Sequence, residues 1–148
     1  MKNLKTLIAL FIMLVSTISF AADNNSVPML RGYDAVSYHT IGRPVMGNGK
    51  HVATYKGQTY LFITQENKNT FNKNPEKYAP MYGGWCAYGV GAGKKFHGDP
   101  LVWEIVDGKL YLNLNNQIKG VWMQDVAGNI KDADKMWEKI KDTPASEL

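Results

Sequence analysis

The dipeptide Asp107-Gly108, set between the β-rich runs Trp103–Val106 and Leu110–Leu114, constrains the fold of this chain more than any other feature. An Asp-Gly pair readily enters the left-handed region that a two-residue hairpin turn requires, so it predicts two antiparallel strands at this point. A second hairpin is predicted upstream, from His51–Tyr55 and Thr59–Ile63 across Lys56-Gly57-Gln58.

Helix signals surround both hairpins. Asp34 can accept from the free amides of a first turn and so caps a short helix over Ala35–His39. Thr64 stands in the same relation to Gln65–Lys73, and Asn74-Pro75 ends that helix and opens a short turn through Tyr78. Near the C-terminus, Ile118, Val121, Trp122 and Val126 share one helical face, and Ile130, Ala133, Met136, Trp137 and Ile140 share another after a break at Gly128-Asn129. Hairpins with flanking helices and no βαβ alternation predict an α+β fold: a small antiparallel sheet of two hairpins with three or more packed helices.

Between the helices lies Pro80–Pro100, which holds six glycines and reads as a long structured loop. Its aromatic residues argue against disorder, and Gly83, Gly84, Trp85, Tyr88 and Phe96 are expected to wall a pocket. The run Gly89–Lys95 is not a nucleotide-binding loop: Tyr88 stands where that motif needs glycine, and Lys95 where it needs a hydroxyl. Tryptophans 103, 122 and 137 read as packing residues.

Lys2 and Lys5 precede an uncharged stretch, Thr6–Phe20, that ends in Ser19-Phe20-Ala21, the pattern of a cleaved export signal over residues 1–21. The apolar run is shorter than the ~20 residues a membrane span needs, so a periplasmic or secreted protein without stable membrane insertion is expected. Residues 22–31 read as an extended arm, 32–142 as a single domain and 143–148 as a flexible tail. Of 17 basic residues two fall in the signal, leaving 17 − 2 = 15 against 13 acidic, a net charge of +2. With no Lys/Arg stripe among aromatics, nucleic acid is not an expected partner. A 45% apolar and 20% charged composition excludes disordered and repetitive classes.

An exported chain with one cysteine cannot close an internal disulfide, so Cys86 is sheltered in the core, bound to something, reactive, or paired between chains. The candidate metal ligands are Cys86, His39, His97, His51 and Met81. A structural zinc site would show Cys or His pairs at short spacing, which this chain lacks. A soft ion such as copper needs only a thiolate, an imidazole and a thioether that converge from distant segments. A thiol enzyme using Cys86 with His97 or His39 ranks lower, because nothing orients the base.

The runs Gly32–Tyr38, Tyr55–Phe62 and Phe71 with Asn74–Tyr78 resemble the YHS domain. Tyr82–Val90, Gly93–Phe96, Gly98–Pro100 and Asp107–Asn113 resemble the longer exported proteins that carry it. The resemblance implies a metal ligand, copper, held by two cysteines on the strand and helix after the hairpin; those positions fall here at Ile63 and Asn67. The chain is therefore expected to be an exported small-ligand-binding module, taking a soft metal such as copper through Cys86. The alternative is a noncatalytic structural or protein-interaction domain with Cys86 in its core.

Overall fold

The computed structural model describes residues 27–148; the expected export signal, and residues 22–26 of the arm, lie outside the described residues. Asp34 starts the first helix, α1 (Ala35–Thr40), by accepting from the Val36 N–H at 2.8 Å. Strands β1 (Asn48–Tyr55) and β2 (Gln58–Phe62) pair antiparallel across the two-residue turn Lys56-Gly57, both at positive φ. The Thr64 hydroxyl accepts from the Asn67 N–H at 3.1 Å and opens α2 (Gln65–Lys73), and the short α3 (Pro75–Tyr78) follows. After a turn at Met81–Gly84 come α4 (Ala87–Gly91), β3 (Asp99–Val106) and β4 (Lys109–Asn113), then α5 (Asn116–Trp122) and α6 (Val126–Ile140). The fold is α+β, and its strands form two separate two-stranded antiparallel sheets. No helix among the described residues is long and apolar enough to cross a membrane.

Two expectations about elements are corrected. The glycine-rich stretch is not one long loop, because it contains α4 and begins β3 at Asp99. Glycine lowers helix propensity, which hides α4, but it also lets α6 approach closely: a Cβ on Gly91 would lie 3.7 Å from the Ala133 backbone nitrogen. The break near Gly128-Asn129 falls earlier, at Met123–Asp125. The Asp125 carboxylate accepts from the Gly128 N–H at 2.9 Å, and the Asn129 side chain donates to the Trp122 carbonyl at 2.9 Å, so both residues belong to the first turn of α6.

Two buried clusters form. Leu30, Val36, Tyr38, Tyr60, Phe62 and Phe71 build the first, completed by Leu110 and Leu112 of β4. Tyr82, Ala87, Val90, Trp122, Ala133 and Ile140 build the second, with Tyr111. Successive strand residues point to opposite faces, so β4 serves both clusters and holds them together. Leu30, in the expected arm, is 4% exposed and packs into the first cluster, while Leu148 at the end of the expected tail packs on the second.

The two hairpins match pair for pair. Asn48 faces Phe62, a bulge follows, and Val52, Ala53, Thr54 and Tyr55 face Leu61, Tyr60, Thr59 and Gln58. Asp99 faces Asn113, a bulge follows, and Trp103, Glu104, Ile105 and Val106 face Leu112, Tyr111, Leu110 and Lys109. The offset is constant, 99 − 48 = 51 and 113 − 62 = 51. Even the local turn recurs: Asn48 accepts from the Lys50 N–H and Asp99 from the Leu101 N–H, each at 2.9 Å.

Candidate functional site

Two short loops carry backbone that L-amino acids avoid. Leu30, Arg31 and Gly32 have φ of 57°, 51° and 89°, and Tyr82, Gly83 and Gly84 have φ of 54°, 62° and 82°. Left-handed conformation costs a non-glycine residue roughly 1–2 kcal/mol, and it persists where surrounding structure enforces it, commonly at functional sites. Each loop is pinned by an equivalent hydrogen bond: the Gly47 N–H donates to the Gly32 carbonyl at 2.9 Å, and the Gly98 N–H to the Gly84 carbonyl at 3.1 Å.

A cleft opens where these loops meet. One cavity of about 400 Å³ is lined by Pro28–Arg31, Gly83–Trp85 and His97. A second, of about 630 Å³, is lined by Met29, Met81, Tyr82, Trp85 and Trp137 with a rim of Lys56, Glu76, Lys141 and Asp142. Met29, Gln58, Gly83 and Trp85 line both, so the cavities adjoin around them. The Trp85 ring stacks on His97, with centroids 4.5 Å apart and planes 28° from parallel. Lys95 stands behind this pair, its ammonium 5.9 Å from the Trp85 ring and 5.3 Å from the Trp137 ring. The same ammonium donates to the Lys141 and Thr143 carbonyls at 2.8 and 2.7 Å, which ties the end of α6 and the start of the tail to the wall of the cleft.

Cys86 is 1% exposed and does not line either cavity. It stands at the N-cap of α4, where its sulfur accepts from the Gly89 N–H at 3.4 Å and its thiol donates to Asn113 Oδ1 at 3.7 Å. The other sequence candidates are dispersed. His39 lies edge-on to Tyr78 at 5.1 Å with its Nε2 buried and without a hydrogen-bond partner; burial, and then the nearby Lys77 charge, hold its imidazole below the usual pKa. His51, on β1, faces Gln65 Oε1 at 3.3 Å. His97 lines the smaller cavity and Met81 the larger, with Met29 common to both. Among the described residues no three His, Cys, Asp or Glu side chains are grouped so as to hold a metal ion.

Of the expected pocket wall, Gly83, Gly84 and Trp85 line the cleft, whereas Tyr88 and Phe96 point outward at 36% and 49% exposure. Sequence reasoning passed over Arg31 and Gln58, and it assigned Trp137 to packing although it lines the larger cavity. The signal that points to Met29 and Arg31 is a recurring string, Pro28-Met29-Leu30-Arg31-Gly32 and Pro80-Met81-Tyr82-Gly83-Gly84. Burial raises the phenol pKa of Tyr38, Tyr60 and Tyr82, the last also donating to Asp134 at 2.8 Å, and pushes Tyr111 up to about 12. These hydroxyls stay protonated at neutral pH and act only as hydrogen-bonding groups.

Residues 36–82 match the family model of the YHS domain. The likeness to that family thus covers 47 of the 148 residues. The chain has no match among curated proteins and none among solved structures. The YHS segment spans α1 to the second left-handed loop and thus one wall of the cleft. The positions that the resemblance assigns to metal-binding cysteines do not fit a metal here. The Ile63 N–H and the Asn67 side-chain amide both donate to Asp34 Oδ2, at 2.9 and 2.7 Å, while Val36 N–H serves Oδ1. Asp34 is fully buried, so these three donors replace the water its carboxylate loses, and no soft donor remains at either position.

Proposed function

We propose that this chain is an exported small-ligand-binding module whose binding site is the cleft around Trp85, with a soft metal ion such as Cu(I) as its ligand. The observation that carries the reading is the meeting of two left-handed loops at one pair of cavities, since strained backbone is retained where it positions something. The donors available there are the imidazole of His97 and the thioethers of Met29 and Met81, a soft set of the kind Cu(I) prefers. Copper held through Cys86 would require α4 to give up its cap, because the thiol is buried and already engaged. Export rests on the pattern of residues 1–21.

The second reading, a noncatalytic structural or protein-interaction domain, draws support from Cys86 itself, whose burial and capping contacts give it a complete structural role. Anaerobic titration of the purified protein with Cu(I), against a chromophoric chelator, separates the two. Binding that survives Cys86→Ser and weakens in His97→Ala supports the cleft. Binding lost only in Cys86→Ser moves the site to the thiol, and no uptake by the parent leaves the structural reading.

A further inference from the structure

The likeness between the two halves extends beyond their hairpins. From the left-handed loop to the helix cap the offset is 52 residues, one more than in the hairpins: Met29 corresponds to Met81 (81 − 29 = 52), and Asp34 to Cys86 (86 − 34 = 52). The Tyr33 N–H donates to the Leu30 carbonyl, and the Trp85 N–H to the Tyr82 carbonyl. The Asp34 N–H donates to the Val45 carbonyl, and the Cys86 N–H to the Phe96 carbonyl. Tyr33 bridges Met46 as Trp85 bridges His97. Both Asp34 and Cys86 cap the helix that follows, and both are buried. After the hairpins the offset of 51 continues: Thr64 caps α2 and Asn115 caps α5 (115 − 64 = 51), and Phe71 and Trp122 each end in a buried cluster.

We infer that residues 80–122 are a second, diverged copy of the unit formed by residues 28–71, and that the cleft is a composite site for one soft metal ion, gripped by the equivalent methionines Met29 and Met81. The family model matches residues 36–82, which hold most of the first copy, and the second copy differs from the first at its buried cap, Asp34 becoming Cys86, and at its second strand, Phe62 becoming Asn113. What both copies keep is the Pro-Met-x-x-Gly loop. Each methionine packs at the border of its own cluster, Met29 on the first and Met81 on the second, and both line the larger cavity. Methionine is often a gap filler in a core, but a filler need not recur at the same place in two copies and face one shared cavity. Neither copy alone encloses the site.

The inference rests on the soft-metal reading above, and the test separates their failures. Cu(I) alone is titrated anaerobically into the parent, Met29→Leu, Met81→Leu and the double variant, with Cys86→Ser as a control and melting curves for all. Leucine keeps the size and apolar character of methionine, so the fold is retained and only the thioether is removed. The expected result is a loss of at least ~10-fold in affinity in each single variant, similar in size at the two positions, and no change in Cys86→Ser; even outer-shell partners of a metal are worth ~10–100-fold. A parent that binds while only one methionine affects affinity overturns the composite site and leaves a one-sided metal site standing; one that binds while neither does overturns the composite site and puts the metal on other donors. A parent that takes up no Cu(I) overturns both.

Discussion

Cys86 shows how one position can satisfy a structural demand with unusual chemistry. An N-cap must supply an acceptor for a free amide of the first turn, which Asp, Asn, Ser and Thr do best. Cys86 does so with sulfur, at 3.4 Å from the Gly89 nitrogen, and the Asn113 Nδ2 beside it is buried without a partner. Asp34 does the same work in the first half with a carboxylate and three donors. A carboxylate at position 86 would meet the Gly89 N–H and, once the Asn113 amide turns over and gives up the long 3.4 Å bond that its Oδ1 accepts from the Tyr88 N–H, the idle Nδ2. Cys86→Asp is therefore expected to be more stable than Cys86→Ala by ~1 kcal/mol at neutral pH, measured by urea unfolding. The opposite order would mean that desolvating the carboxylate outweighs these donors and that the two caps are not interchangeable.

At the scale of elements, the two hairpins rely on glycines at equivalent places. A Cβ on Gly47 would lie 2.5 Å from the Leu61 carbonyl carbon, and one on Gly98 would lie 2.5 Å from Leu112 Cβ and 2.7 Å from the Gly84 carbonyl oxygen. Each of these contacts involves a chain atom that cannot swing aside. Gly47→Ala and Gly98→Ala are each expected to lower stability by ~1–3 kcal/mol, with Gly98→Ala also opening the loop that pins the cleft. Denaturant midpoints check the size, and a midpoint unchanged in either variant would show that the strand entry relaxes easily. Much of this level was legible in advance. Asp34, Thr64 and Asp107-Gly108 are local devices whose partners lie within a few residues, so capping and turn chemistry placed α1, α2 and the second hairpin. Helix α4 was not legible, because its five residues include two glycines and it is stabilised by packing against α6.

For the whole molecule, pH acts on a joint that ties α1 to α3. His39 packs on Tyr78 with Nε2 unpartnered, and burial, with Lys77, keeps the ring neutral in the folded state. The unfolded chain takes up a proton near pH ~6.5 and the folded one resists it, so the unfolded state binds more protons below that point. Stability contributed by the neutral ring is present above ~6.5 and is lost as pH falls through the unfolded value. Thermal melts of the parent are expected to fall between pH ~7 and ~5, and His39→Gln to flatten that part of the profile. A parallel pair of profiles would place the sensitivity elsewhere.

Residues 1–148 by themselves determined the fold class, most helix starts, both hairpins and the kinship of the first half to the YHS domain, because each of these depends on short-range patterns or on a matched motif. The tertiary structure decided three things. It separated the strands into two sheets, since each hairpin pairs only within itself and the two meet through side chains of the first cluster, not through a shared ladder. It withdrew Cys86 from the cleft and gave it a helix to cap, because the thiol is held between the Gly89 N–H and Asn113 while the neighbouring Trp85 lines the cavities. It also placed Met29 and Met81, 52 residues apart in the chain, on the lining of one cavity, an arrangement that no local rule encodes and that the packing of the two halves through β4 produces.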